Sequence, residues 1–129
     1  MRVAHLLPLL AGGLVAAAIV AAASRTEAGD PAKGKENYRD FCVPCHGASG
    51  KGDGPLAANL PARPRNHTDS AYMNGLSEAH LFKIIKEGGA AVGKSPIMPA
   101  WGNQMTDDEI RDTIAYLRTL PVPPYPGSK

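Results

Sequence analysis

Hydrophobic positions along the chain form one long unbroken run, followed by shorter periodic segments. The run covers residues 6–23; it is rich in Leu, Ala, Gly and Val, carries no charge and follows a short start that contains Arg2. A basic start, an apolar middle and a small-residue end are typical of a secretory signal peptide. The pattern therefore predicts a signal peptide over residues 1–28, with cleavage after Ala23 or Ala28.

The same run has a second interpretation as an uncleaved membrane anchor, since a membrane span needs about 18 apolar residues. Its many alanines and glycines make it a weak span, so we favour cleavage. Under either interpretation, residues 29–129 are predicted to form one domain outside the cytoplasm, in the periplasm. Association with the membrane is expected only if the N-terminal segment stays attached.

Three segments behind this run have apolar positions at three- and four-residue intervals, the spacing of a helix with one buried face. The first predicted helix covers residues 33–42. Tyr38, Phe41 and Cys42 share its apolar face, which continues to Cys45. Both cysteines of the chain, Cys42 and Cys45, are therefore expected to lie next to the predicted core.

The other two helices carry recognisable start and stop signals. Ser77 is suited to N-cap the second helix, which should stop at Gly88 and the glycine after it. Thr106 begins a sequence with the spacing of a capping box, and Pro121 should end the third helix. The positions predicted to face the core are Leu81, Ile84 and Ile85 in the second helix and Ile110, Ile114 and Leu117 in the third.

Glycine and proline dominate the stretches between these helices. The chain has 14 glycines and 12 prolines, and many of them crowd residues 47–65 and 89–104. They rule out long regular elements there, and no segment shows a convincing strand pattern. We therefore predict an all-α domain of three or more helices with long loops. Such loops are unusual in a small domain unless they wrap a ligand.

Composition narrows the choice of function. Aromatic residues make up 5% of the chain, so a folded part of about 100 residues would have a thin core unless something else fills it. The formal net charge is +2, and the basic residues are scattered rather than clustered. Scattered charge with few aromatics argues against a nucleic-acid-binding protein.

Both cysteines of the chain lie in the pentapeptide Cys42-Val43-Pro44-Cys45-His46. This C-x-x-C-H spacing is the attachment signature of c-type haem. From one helical face, the two sulfurs can form thioethers with both vinyl groups of a haem, and the adjacent imidazole can point at the iron. We predict one covalent haem c at Cys42 and Cys45, with His46 as an axial iron ligand.

Three other uses of these cysteines are less well supported. A disulfide between Cys42 and Cys45 would close a very small loop and stabilise little. A thioredoxin-like redox pair needs a βαβ context, which the pattern lacks. A zinc site would have to recruit His67 and His80 from unrelated spacings, whereas such sites usually have a second ligand pair at a matching spacing.

The sixth iron position has several candidate ligands. Met98 is favoured because a proline lies two positions before it and another directly after it, and a stiff loop helps to hold a weak thioether ligand. Met105 is better explained by packing beside the start of the third helix, and His80 by exposure in the first turn of the second. His67 and Met73 lie in predicted loops and stay open as alternatives.

Taken together, these features resemble the class I bacterial cytochromes c over nearly the whole folded part. Gly34 and Tyr38 precede Cys42 at the spacing of that family. The resemblance implies a small cytochrome c fold whose first and last helices cross at the glycine and pack on an aromatic residue of the last helix, which Tyr116 would supply. Thr113 stands where the family often has leucine.

Two loops extend the resemblance to the site. Residues 95–101 resemble the axial-methionine loop of the family, which again implies Met98 as the sixth ligand. The glycine-rich stretch 52–55 resembles the loop whose proline carbonyl accepts the N–H of the axial histidine. The resemblance therefore implies that Pro55 holds the ring of His46 and fixes its tautomer.

A haem with both axial positions filled cycles between ferric and ferrous iron without binding a substrate, which predicts a single-electron carrier rather than an enzyme. The protein would work as a free carrier or as the haem subunit of a respiratory or dehydrogenase complex. Its expected partners are redox proteins: a dehydrogenase, an oxidase or a reductase. The alternative is a haem sensor or a catalytic haem domain with an exchangeable sixth ligand.

Basic and aromatic side chains near the predicted haem edge have two interpretations each. The basic ones either steer an acidic partner or form an ordinary solvated surface. They are Lys51, Lys83, Lys86, Lys94, Arg63 and Arg65. Trp101 and Tyr72 are predicted to pack on the haem in preference to lining a partner surface.

Overall fold

The computed structural model describes residues 28–127. The helices in this part of the chain are α1 Pro31–Phe41, α2 Val43–His46, α3 Ser70–Met73, α4 Glu78–Glu87 and α5 Asp107–Leu117, with single-turn 3-10 helices at Ala57–Asn59 and Gly89–Val92. Between residues 28 and 127 the only extended pairing is an isolated parallel bridge between Asp69 and Val122. The predicted all-α fold with long loops is confirmed.

The segment predicted to be a signal peptide or anchor, residues 1–28, lies outside the described residues except for its last one. Its cleavage and the exported location stay predictions from the sequence. None of the helices between residues 28 and 127 is long and apolar enough to cross a membrane.

Capping side chains begin the three longer helices. The Ser77 hydroxyl accepts a hydrogen bond from the backbone N–H of His80 (3.1 Å) at the start of α4, as predicted. At α5, Thr106 and Glu109 form the predicted capping box, in which each backbone N–H donates to the side chain of the other residue. Helix α1 begins two residues earlier than predicted, because the Asp30 carboxylate accepts hydrogen bonds from two of its first backbone N–H groups.

Three short elements were not predicted from the sequence: α3 and the 3-10 helices Ala57–Asn59 and Gly89–Val92. Helix α3 is capped by Asp69, whose carboxylate accepts a hydrogen bond from the backbone N–H of Tyr72 (3.3 Å). The 3-10 helix Gly89–Val92 lies in a stretch that was expected to be loop. A single turn contains too few residues for a 3.6-residue period to be recognised, and this is why the pattern missed all three.

The crossing of α1 and α5 is as close as the resemblance implied. A Cβ at Gly34 would fall well inside contact distance of the backbone carbonyl of Asp112, so only glycine allows this approach. One turn further on, the rings of Tyr38 and Tyr116 pack edge to face at 5.2 Å. Thr113 is fully buried at the crossing, and its hydroxyl donates to the carbonyl of Glu109 (2.8 Å). The threonine therefore packs without an unpaired polar atom.

A single cluster of buried side chains lies between α1, α4 and α5. Its members are Tyr38, Cys42, Met73, Leu81, Ile85, Met105, Ile110, Ile114 and Leu117. The inward stripes predicted for α4 and α5 are confirmed, except that Ile84 is only partly buried. Trp101 packs against Phe41 with ring centroids 5.2 Å apart, at the edge of this cluster.

Candidate functional site

A cavity of about 300 Å³ opens beside the core cluster. Its walls come from the α1–α2 junction, from residues between 60 and 67, from α3 and α4, and from residues 94–99. Cys42, Cys45 and His46 line it from one segment and Met98 lines it from another. The structure thus brings the four residues predicted to hold a haem to one cavity.

The two cysteines reach the cavity because α1 and α2 are joined with almost no break. Helix α1 ends at Phe41, and the backbone N–H groups of Cys45 and His46 donate to the carbonyl of Cys42 (3.2 and 2.8 Å). One helical turn therefore carries both sulfurs and the imidazole. Cys42 is buried, which raises the pKa of its thiol to about 12, and Cys45 is partly exposed. The two thiols are not bonded to each other.

The ring of His46 is held in one tautomer. Its Nδ1 lies 3.0 Å from the backbone carbonyl oxygen of Arg65. A carbonyl oxygen only accepts, so Nδ1 carries the proton and donates it. Burial lowers the pKa of His46, which keeps the imidazole neutral and leaves a lone pair on Nε2. A neutral imidazole with a fixed Nδ1–H is the form that binds a metal through Nε2.

The prediction that Pro55 holds His46 is wrong, because the carbonyl of Arg65 accepts the Nδ1–H instead. Pro55 is exposed, and the stretch around it packs on the backbone of α2 rather than on the histidine ring. The N–H of Gly52 donates to the carbonyl of His46 (2.8 Å), and that of Gly54 to the carbonyl of Cys45 (3.1 Å). The glycine-rich stretch therefore supports the helix that carries the ligand.

The absence of a side chain at Gly52 allows the loop that contains Pro64 and Arg65 to approach His46. A Cβ at Gly52, where φ is +73°, would collide with the carbonyl oxygen of Pro64. The chain therefore passes close enough for the next carbonyl, that of Arg65, to meet the imidazole. Arg65 was not predicted in this role, because a backbone carbonyl leaves no signature in the residue type. The feature of the sequence that comes nearest to indicating this role is Pro64, which directly precedes Arg65.

Met98 lies in a loop that is fastened to the end of α4. The N–H of Gly89 donates to the carbonyl of Met98 (3.0 Å), and the N–H of Lys94 donates to the carbonyl of Gly89 (2.8 Å). At Gly88, with φ +85°, a Cβ would come within 3.0 Å of the carbonyl oxygen of Met98. The glycines that were predicted only as a helix stop also hold the methionine loop. The pair of consecutive glycines, Gly88 and Gly89, was the feature of the sequence that could have indicated this close contact.

The other candidates for the sixth ligand have different surroundings. His67, His80 and Met73 also line the cavity, and Met73 is at the same time buried in the core cluster. His80 is partly exposed in the first turn of α4. Met105 is buried in the core cluster and does not line the cavity, which agrees with its predicted packing role.

The basic and aromatic residues predicted near the site divide into two groups. Arg63, Arg65 and Lys94 line the cavity, whereas Lys51, Lys83 and Lys86 do not. Tyr72 also lines the cavity, and the guanidinium of Arg65 lies over its ring, 3.8 Å from the centroid. Trp101 packs in the core and is not among the residues that line the cavity.

The residues present fit a c-type haem. The cavity wall supplies two free thiols one turn apart, a neutral imidazole with an available Nε2, and a thioether on a separate loop. Among residues 28–127 there is no group of three or more His, Cys, Asp or Glu side chains placed to hold a metal ion, so the zinc interpretation gains no support.

Comparison with known proteins supports this assignment. Residues 29–117 match the family described as cytochrome c oxidase, cbb3-type, subunit III. The cbb3-type cytochrome c oxidase subunit FixP of Bradyrhizobium diazoefficiens is 34% identical over 91 residues, which are 70% of this chain and 28% of that protein. Cytochrome c-554(548) of Halomonas halodenitrificans is 28% identical over 89 residues, which are 69% of this chain and 94% of that protein.

Solved structures with the same fold include a c-type cytochrome, KustC0563. It has a TM-score of 0.56 at 23% identity and covers 68% of this chain and 96% of its own. A chain of the Kuenenia stuttgartiensis reducing HAO-like protein complex Kustc0457/Kustc0458 has the same TM-score and identity, over 69% of this chain and 41% of its own. At this identity the likeness shows the fold alone, and the predicted cytochrome c fold is confirmed.

Proposed function

Since the chain belongs to the cbb3-type cytochrome c oxidase subunit III family and is a c-type cytochrome, we propose that it transfers single electrons through one covalently bound haem c. The proposed axial ligands are His46 and Met98, and the proposed attachment points are Cys42 and Cys45. The single C-x-x-C-H motif supports one haem in this chain.

One observation carries the proposal: the thiols of Cys42 and Cys45 and the imidazole of His46 line the same cavity from a single helical turn. The imidazole is already in the tautomer that leaves Nε2 for the iron. Met98 lines the cavity from a different segment, which supports ligation from a second side.

Haem c, when bound, supplies a one-electron couple between ferric and ferrous iron. The chain's own residues hold and tune it. Cys42 and Cys45 would tether it, and His46 would bind the iron through Nε2 while its Nδ1–H stays on the Arg65 carbonyl. Met98 would be the second protein ligand of the iron, which would leave no open position for water or a substrate.

Two settings for this activity follow from the sequence and the relatives. The apolar run at residues 6–23 supports export, with the haem domain in the periplasm. The chain spans 28% of FixP, an oxidase subunit, and 94% of the Halomonas cytochrome. We propose that it works as a carrier or as the haem subunit of an oxidoreductase complex, with other redox proteins as its electron donor and acceptor.

The test is the optical spectrum of the purified haem protein, ferric and ferrous, with and without carbon monoxide. The wild type is expected to be low-spin with a far-red methionine-to-iron band, and its ferrous form should not bind carbon monoxide. Met98→Leu should lose this band and bind carbon monoxide, because leucine has a similar volume but no sulfur.

Met105→Leu is the matched control, since Met105 is buried in the core and does not line the cavity. It should keep the wild-type spectrum. Ready binding of carbon monoxide by the wild type would contradict the carrier proposal and favour a sensor or catalytic domain with an exchangeable sixth ligand.

A further inference from the structure

A second histidine lies directly against the predicted axial ligand. The rings of His46 and His67 stack with centroids 4.1 Å apart and an angle of 19° between their planes. His67 is 9% exposed, so its ring is buried against that of His46. The two imidazoles lie face to face.

His67 is itself held from two directions. Its Nδ1 lies 3.1 Å from the hydroxyl of Tyr38, a residue that is 1% exposed. Its backbone N–H donates to the carbonyl of Gly50 (2.6 Å). Gly50 has φ +75°, and a Cβ there would come within 3.3 Å of the Cβ of His67. These contacts hold the His67 ring in place independently of its contact with His46.

This arrangement bears on the rotation of the His46 ring. The hydrogen bond to the Arg65 carbonyl restrains the ring at one atom, Nδ1, and hydrogen-bond geometry tolerates small rotations of the ring about its Cβ–Cγ bond. A flat, anchored surface at stacking distance opposes this rotation. His67 supplies that surface, since its plane is within 19° of that of His46.

The same geometry argues against His67 as the sixth ligand. The sixth ligand approaches the iron from the side opposite the fifth, whereas His67 lies stacked on the fifth ligand's own ring. The contact with Tyr38 also engages Nδ1 of His67.

We propose that His67 is a positioning residue: by stacking on His46 it sets the orientation of the axial imidazole plane about the iron–nitrogen bond. The inference rests on the proposed function, in which His46 binds the haem iron. The orientation of an axial imidazole determines how the ferric d orbitals split. It therefore controls the anisotropy of the electron paramagnetic resonance (EPR) signal and the spread of the haem methyl shifts in nuclear magnetic resonance (NMR) spectra.

The experiment compares two replacements of His67 in the ferric haem protein. His67→Gln keeps a polar group near Tyr38 but has no ring, whereas His67→Phe keeps a ring but has no polar atom. If stacking positions the axial ligand, His67→Gln should shift the EPR g values and the haem methyl shifts. His67→Phe should keep the wild-type values with a broader signal, because it retains the ring but loses the hydrogen bond to Tyr38. The ferric-to-ferrous ratio at a fixed ambient potential should change about threefold or more in His67→Gln only.

Tyrosine variants test how the His67 ring is anchored. Tyr38→Phe removes the hydroxyl at Nδ1 of His67 and should broaden the EPR signal, because the stacked ring is then less well fixed. Tyr116→Phe removes a hydroxyl from the neighbouring ring of the same aromatic pair and should leave the signal unchanged.

Identical EPR and NMR patterns in the wild type and both His67 variants would overturn the inference while leaving the proposed function standing. So would a changed pattern in His67→Phe equal to that of His67→Gln, since the ring face would then not be the cause. A wild type without a low-spin haem signal would overturn both the inference and the proposed function. If His67→Gln does not fold, His67→Phe and Tyr38→Phe still decide, because the inference requires both to keep the wild-type g values with a broadened signal.

Discussion

The guanidinium of Arg118 is buried at the C-terminal end of α5, with 4% of the residue exposed. Its Nη1 donates to the carbonyl of Met73 (2.8 Å) and its Nη2 to the carbonyl of Leu76 (2.6 Å). Its Nε donates to the carboxylate of Glu78 (2.8 Å). The planar fork of arginine therefore ties α5 to the connection between α3 and α4, which forms one wall of the cavity.

Replacing this side chain should weaken the whole domain. We expect Arg118→Ala to lower the free energy of unfolding by about 3 kcal/mol, because one buried and one partly buried carbonyl lose charge-assisted hydrogen bonds. Denaturant unfolding of the ferric haem protein measures the change. Arg39→Ala is the control: Arg39 is 62% exposed and pairs with Glu36 and Asp40 on the surface. Its loss should cost no more than about 0.5 kcal/mol, and equal losses would contradict the prediction.

At the scale of elements, the contact between α1 and α5 depends on one glycine. Gly34→Ala places a methyl group against the backbone carbonyl of Asp112, and a carbonyl within a helix has little room to shift. We expect the free energy of unfolding to fall by about 3 kcal/mol, the upper end of ordinary overpacking.

The control for this substitution is Gly75→Ala, measured by the same denaturant unfolding. The nearest atom to a Cβ at Gly75 is the carbonyl oxygen of Tyr72 at 3.5 Å, an ordinary contact. It should change the free energy of unfolding by about 0.5 kcal/mol or less. A Gly34→Ala protein as stable as Gly75→Ala would mean that the two helices are not in close contact.

The end of α4 and the methionine loop form a second pair of elements joined through glycine. A Cβ at Gly89 would collide with the carbonyl of Ser95 and come within 3.1 Å of the Cβ of Met98. We expect Gly89→Ala to push the loop away from α4, to weaken the methionine-to-iron band, and to let the ferrous form bind carbon monoxide, which the wild type should not do. Gly75→Ala should leave both properties unchanged. A normal band in Gly89→Ala would show that the loop tolerates the methyl group.

At the scale of the whole molecule, the cavity rim is basic although the formal net charge of the chain is only +2. Arg63, Arg65 and Lys94 all line the cavity, and Lys94 is exposed. Positive charge beside a redox centre attracts anionic partners and raises the rate of encounter. The position of the basic residues around the cavity should therefore affect the rate of encounter with a partner more than the net charge of the chain does.

The rate of electron transfer to an anionic oxidant tests this local charge. Lys94→Glu should slow oxidation of the ferrous protein by ferricyanide about two- to fivefold at low salt, and the difference should vanish near 1 M salt, where the Debye length is about 3 Å. Lys33→Glu changes the net charge equally on an exposed residue of α1 that does not line the cavity. If both variants slow the reaction to the same extent, total charge rather than the rim is responsible.

The features that could be predicted from the sequence are those in which one residue type acts on its near neighbours. Ser77 and Thr106 cap α4 and α5 as expected, because a capping hydroxyl bonds to a backbone N–H three residues away. The spacing of Cys42, Cys45 and His46 places all three on one helical turn for the same reason. The family resemblance added the crossing at Gly34, which the structure confirms.

Only the tertiary structure decided which groups from distant segments meet the site. The family resemblance implied Pro55 as the partner of His46, but the carbonyl of Arg65 holds it. Any residue type can present a backbone carbonyl, and only the path of the chain selects one. The stacking of His67 on His46 likewise joins residues 21 positions apart that share no periodic pattern. The sequence alone thus determined the caps of α4 and α5 and the placement of Cys42, Cys45 and His46 on one helical turn, because these depend on short-range contacts. The support and orientation of the ligands depend on long-range contacts, which exist only once the loops have packed around the cavity.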